Sequence, residues 1–287
     1  MPYEYSRKVL HHPETKPVFI GVDHMPAFDD QAAGFSLVNA WWCSNMSHLA
    51  YSEKPEVEQA LAKVGFQLVD FFSGNSTQGF LAINDHTAIL SFRGTESDEI
   101  EDIIADARLF LHPFTEGGRV HKGFLQALDE VWEQVASSLE ALEGHIRLWY
   151  TGHSLGAVLA TLSAARRKPD GLVTFGSPLL GNEAFTKLLQ GVPVHRFVNC
   201  TDIVATVPPV AFGYEHVGRP FFLTARGKLL IHPSRWTMIR HKVSGELGYA
   251  ARFPWFRPGM VKVRSFVDHA ILNYTEGIRR ALKRATG

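Results

Sequence analysis

The chain has 287 residues with 29 basic and 29 acidic side chains, so its formal net charge is zero. That length buries a large core and, with no linker-like stretch, points to one domain over 1–287, while the neutral balance gives no global pull toward nucleic acid. The N-terminal MPYEYSRKVLHHPETKP lacks the apolar core of a secretory signal, and no apolar run reaches membrane-spanning length. The expectation is a soluble chain, cytoplasmic by default or exported without a visible leader. Cys43 and Cys200 match no zinc or redox spacing and read as buried free thiols, with no metal expected at them.

In chain order, Asp29 to Leu61 reads as helix, broken near Pro55. Gln67 to Phe72, Gly79 to Asn84 and Thr87 to Phe92 suit a strand meander with a tight turn at Asn84-Asp85-His86. Val120 to Leu142 carries a helical apolar stripe ended by Gly144. Ile146 to Tyr150, Leu172 to Phe175 and Val194 to Val198 are short apolar runs of the kind buried parallel strands show. Helices from Leu155 to Arg167 and Asn182 to Leu189 fall between them, which favours an α/β sheet covered by helices. Lys228 to Ile231 reads as part of a hairpin, Met260 to Arg264 as a last strand, and Ala270 to Lys283 as a final helix opened by Asp268-His269.

Gly152-His153-Ser154-Leu155-Gly156 sits where a buried strand turns directly into a helix, the context of a G-x-S-x-G nucleophile elbow. The plainer alternative is a glycine-rich turn with a serine N-cap. A serine hydroxyl is a weak nucleophile alone and needs a base and an orienting acid, which follow it in chain order in this kind of fold. Asp202, just past the strand Val194 to Val198, is the candidate acid; a turn aspartate capping its own backbone is the alternative. Of the downstream histidines His216, His232, His241 and His269, the last is preferred, because the expected strand and helix flank it.

TGHSLGAVLATLSA, SFRGTE, VHKGFLQAL, TFGSPLLGN, FVNCTDIVATVPPVAFGYEHVG and FVDHAILNY together resemble, in the same order, the fungal-type triacylglycerol lipases, the class 3 lipase family. The resemblance runs from about Ala32 to Tyr274. It implies an α/β-hydrolase with a mostly parallel central sheet, helices on both faces and a short helical lid, cleaving lipid esters without a cofactor. Ser154, Asp202 and His269 fall on the family's triad, and Thr95 and Leu155 on its oxyanion hole. The function it implies is that of a triacylglycerol lipase. A phospholipase A1, lysophospholipase or short-chain esterase is the alternative within hydrolases, and an inactive relative that binds lipid or a protein partner the alternative outside them.

The lid is expected over 96–110, where Ile100, Ile103, Ile104 and Ala107 form an apolar stripe with Glu99, Asp102 and Asp106 off it. A fixed surface helix is the alternative. The segment departs from the family pattern in carrying Ile103 where a tryptophan is common, and Leu179 replaces a common arginine after Pro178. From Arg219 to Arg264 basic residues face a single acid, Glu246, with aromatics interleaved. That mixture suits transient contact with an anionic lipid interface, or else a solvated hairpin region with aromatics in the core. Nothing accompanying the charge suggests a nucleic-acid partner.

Overall fold

The computed structural model describes residues 4–32, 34–94, 111–252 and 264–286. Thr95 and the lid stretch 96–110, with Ile100, Ile103, Ile104 and Ala107, lie outside the described residues, as do positions 260–263 of the expected last strand.

The chain starts with a short helix α1 (Arg7–His11), then α2 (Leu37–Leu49) and α3 (Lys54–Lys63). The single helix expected over Asp29 to Leu61 is therefore two, and it begins later. The Ser36 side chain accepts the Asn39 N–H and caps α2, while the Asn39 amide exchanges two hydrogen bonds of 2.8 Å with the Asp29 backbone, fixing the preceding segment as an irregular arm. Pro55 lies in the first turn of α3, where its missing N–H costs nothing, so it starts a helix and does not break one.

An eight-stranded sheet carries the rest. In spatial order it runs β1 (Gln67–Ser73), β2 (Gln78–Ile83), β3 (Thr87–Phe92), β6 (Arg147–His153), β7 (Gly171–Phe175), β8 (Val194–Asn199), β9 (Pro220–Leu223) and β10 (Leu229–Ile231). The run from β3 to β9 is parallel, and the outer pairs β1/β2, β2/β3 and β9/β10 are antiparallel. A separate ribbon joins β4 (Leu111–Pro113) to β5 (Arg119–His121). The sheet alternates its side chains between two cores. Leu81, Leu90, Phe92 and Tyr150 face one side, where Leu128, Val135, Val158 and Leu159 cover them. Phe80, Ile89, Trp149, Val173 and Phe197 face the other, against Trp41, Met46, Tyr274 and Ile278. This period-two division is why the strands read as continuous apolar runs.

The helices of the first core are α4 (Lys122–Asp129), α5 (Trp132–Glu140) and α6 (Leu155–Arg166). The expected helix from Val120 to Leu142 is split. Val120 belongs to β5, and Val131 leaves helical geometry (φ −125°, ψ −2°) beside Glu130, whose carboxylate takes two hydrogen bonds from Ser76. After α7 (Glu183–Leu188), the segment beyond the β9/β10 hairpin forms α8 (Arg235–Arg252), a helix the sequence reading did not anticipate. Arg264, expected to end a strand, opens helix α9 (Arg264–His269), and His269 closes that helix instead of opening the last one, α10 (Ile271–Thr286). Both cysteines are free and buried. Among the described residues no helix is long and apolar enough to cross a membrane.

Candidate active site

Three turns at the carboxyl edge of the parallel strands converge. The first follows β6, whose Gly152 is paired with Phe92 of β3 and Thr174 of β7. The next residue but one, Ser154, adopts φ 56° and ψ −124°, a backbone state that costs a side-chain-bearing residue about 1–3 kcal/mol. It is held there from both sides. Its N–H donates to the Phe175 carbonyl at 3.0 Å, and its own carbonyl accepts the Ala157 N–H at 3.1 Å as α6 begins. A Cβ on Gly152 would strike the Gly156 carbonyl, and one on Gly156 would strike the Phe92 carbonyl, so strand, turn and helix meet only because both are glycine. Leu155 occupies the first helical position, where the N–H has no acceptor within the helix and points toward the turn.

The second turn follows β8 and carries Asp202, which is fully buried. Its Oδ1 accepts the Val204 N–H at 2.9 Å, and its Oδ2 accepts the Tyr274 hydroxyl at 2.6 Å. Burial opposes its charge, but His269 beside it and the hydrogen bonds from His269 and Tyr274 outweigh that and hold the carboxyl below its ordinary value. Tyr274 is shifted the other way, well upward, by burial and by the Asp202 charge, so it keeps its proton and donates.

His269 stands between the two turns. Its Nδ1 lies 3.0 and 3.1 Å from the Asp202 oxygens, and its Nε2 lies 3.0 Å from Ser154 Oγ. An ionised carboxylate can only accept, so the imidazole proton sits on Nδ1, and Nε2 is left to accept from the serine hydroxyl. The short helix α9 is clamped to the β8 turn in this position. Asp268 Oδ2 accepts from Arg264 Nε, Thr201 N–H and Thr201 Oγ1, each at 2.9 Å, and Asn199 Nδ2 donates to the Asp268 carbonyl at 3.0 Å.

Sequence reasoning preferred His269 as the opening of the last helix, whereas it closes α9, and it missed four residues that hold the constellation. Tyr274 lies five positions after His269 in the quoted FVDHAILNY, a spacing that could have flagged it. Gly176, at φ 60° in the turn after β7, forms the floor beneath the pair; a Cβ there would come within 2.8 Å of Asp202 Oδ2 and 3.0 Å of His269 Nδ1. His153 and Tyr51 form a brace. The His153 Nε2–H donates to the His269 carbonyl at 2.6 Å, and Nδ1 accepts from the Tyr51 hydroxyl at 2.8 Å. Leu179 is buried, and its N–H donates to the Val207 carbonyl at 2.8 Å. His216, His232 and His241 take no part in the hydrogen bonds among Ser154, Asp202 and His269.

Three buried histidines carry a consequence for stability. Burial lowers His48 to about 4, His195 to about 4 and His153, with further opposition from His269, to about 3. In the unfolded chain each titrates near 6.5, so between pH 6.5 and 5 the unfolded state binds protons that the folded state refuses. Stability is therefore present above about pH 6.5 and is lost as pH falls, by about 2 kcal/mol per histidine down to pH 5. Urea unfolding across this range should show a falling midpoint; a flat midpoint would show that these rings are not held neutral.

The model for the family described as Lipase (class 3) matches residues 89–212. A lipase from Rhizomucor miehei is 36% identical over 157 residues, 49% of this chain and 43% of that one. Secreted mono- and diacylglycerol lipase A from Penicillium cyclopium is 30% identical over 205 residues, 66% of each chain.

The chain belongs to the class 3 lipase family.

The solved Rhizomucor miehei lipase in complex with its propeptide superposes with a TM-score of 0.56 at 28% identity, over 67% of this chain and 69% of that one. The fold is that of the α/β-hydrolases, a mostly parallel sheet between helical layers. The match spans 43% of the length of the Rhizomucor miehei relative and 66% of the Penicillium cyclopium one.

Proposed function

We propose that this class 3 lipase hydrolyses carboxylic esters of lipids, acylglycerols foremost, through an acyl-enzyme on Ser154. The observation that carries the reading is the continuous hydrogen-bonded line from Ser154 through His269 to the buried Asp202 behind a strained elbow. His269 Nε2 takes the serine proton as Oγ attacks the ester carbonyl, and returns it to the departing alkoxide. Asp202 keeps the proton on Nδ1 and stabilises the imidazolium that forms. The Leu155 N–H, with Thr95 as its partner from beyond the described residues, stabilises the tetrahedral oxyanion. Water then attacks the acyl-enzyme with His269 again as base. The choice of acylglycerol rests on family membership and on the Penicillium relative, named for mono- and diacylglycerols.

Hydrolysis of p-nitrophenyl esters from acetate to palmitate tests the reading, with turnover expected to peak at medium or long acyl chains. Absence of turnover with every ester and with acylglycerol emulsions, from folded protein, would overturn it.

Gly176 gives a separate check. A methyl group there meets the Asp202 carboxylate and the His269 ring and also forces a side chain onto φ 60°. Misplacement of reacting groups by about 1 Å costs on the order of 100-fold, so Gly176→Ala should lose about that much in kcat with KM little changed. Near-normal kcat would mean that the floor does not position the pair.

A further inference from the structure

The helix α8 presents two faces of opposite character. Its inner face is seated on the turn that carries Asp202. Met238 packs with Val198, Cys200, Ala205 and Phe222; the Cys200 thiol donates to the His241 carbonyl at 3.3 Å; and a Cβ on Gly245 would lie 2.9 Å from the same sulfur. Its outer face carries Trp236, Ile239, Val243 and Leu247, spaced three, four and four residues apart, so they form one stripe roughly opposite the seat. Trp236 is 77% exposed and Leu247 66%. A helix in water normally turns such a stripe inward. Here the inward positions are already occupied, and Arg235 and Arg240 are exposed beside the stripe.

We infer that the Trp236–Leu247 stripe of α8 is a lipid-docking surface that holds the enzyme on anionic lipid interfaces with the Asp202 turn beneath it. Contiguous exposed apolar surface marks a protein or membrane contact. Two features select lipid. A tryptophan leads an apolar stripe flanked by arginines, the composition of helices that lie in a bilayer interface, and the cations match an anionic headgroup layer. The helix also spans only about 10 Å from stripe to seat, so a docked surface lies close to the loop of the proposed acid. The inference rests on the lipid-ester reading, which the test separates from it.

The test measures sedimentation with vesicles of phosphatidylcholine, alone or mixed with phosphatidylglycerol, for the unaltered chain and for Trp236→Ser/Leu247→Ser. Both substitutions fall on exposed positions, and turnover of a soluble acetate ester reports that the fold is retained. The expected result is binding that favours the anionic vesicles, weakens with salt, and falls about 100-fold in the double variant while soluble-ester turnover is unchanged. Equal binding by the two proteins, or no binding by the unaltered chain, overturns the inference. So does light scattering that finds a dimer converted to monomer by the substitutions with vesicle binding unaltered, which would make a second copy the occupant. Vesicle binding through the stripe by a chain that cleaves no ester would leave the surface standing and remove the proposed activity.

Discussion

Ser154→Ala should reduce ester turnover by about 10⁶, the scale on which serine hydrolases depend on their nucleophile. The substitution is well suited to isolate chemistry from folding. It keeps the Cβ, so the strain at φ 56° is unchanged, and it leaves the Phe175 and Ala157 backbone bonds in place. What it removes is one hydroxyl, whose hydrogen bond runs to His269 Nε2. Thermal unfolding should therefore be nearly unaltered while turnover collapses. Residual activity within tenfold of the unaltered chain would mean that a different group performs the attack.

Asp202→Asn should cost about 10⁴ in turnover, the scale seen when the corresponding acid of serine proteases is made an amide. Its surroundings supply the reason. The carboxylate accepts from His269 Nδ1, the Tyr274 hydroxyl and the Val204 N–H, all of which are donors. An amide must turn an NH₂ toward one of them. If it faces His269, the imidazole moves its proton to Nε2 and can no longer accept from Ser154. Steady-state kinetics at neutral pH checks this, with kcat expected to carry the loss. A fall of tenfold or less would show that His269 does not rely on Asp202 for its tautomer.

The order of strands and turns was legible because the parallel strands are buried on both faces and stand out as short apolar runs. The juxtaposition of Ser154, Asp202 and His269 could be approached in the same way, since two of them directly follow such runs. His269 was harder. It is placed by a helix, α9, only six residues long, too short to show a period, and its position is set by Asp268, Thr201 and Asn199, contacts between residues 67 and 69 positions apart. The brace of His153 and Tyr51 is longer in range still, at 102 positions. Helix α8 escaped notice for another reason. Its apolar residues fall on both faces, Met238 and Tyr249 inward and Trp236 and Leu247 outward, so the stripe that identifies an ordinary surface helix is doubled. The lid residues and Thr95 stand as sequence expectations.

The most direct test of the acyl-enzyme claim is covalent capture. Incubating the folded chain with an alkyl p-nitrophenyl phosphonate, which reacts with a serine activated by its own base, and mapping the adduct by mass spectrometry should find one modification per chain, on Ser154. An adduct on another residue, or none on folded protein with p-nitrophenyl ester hydrolysis still present, would contradict the account.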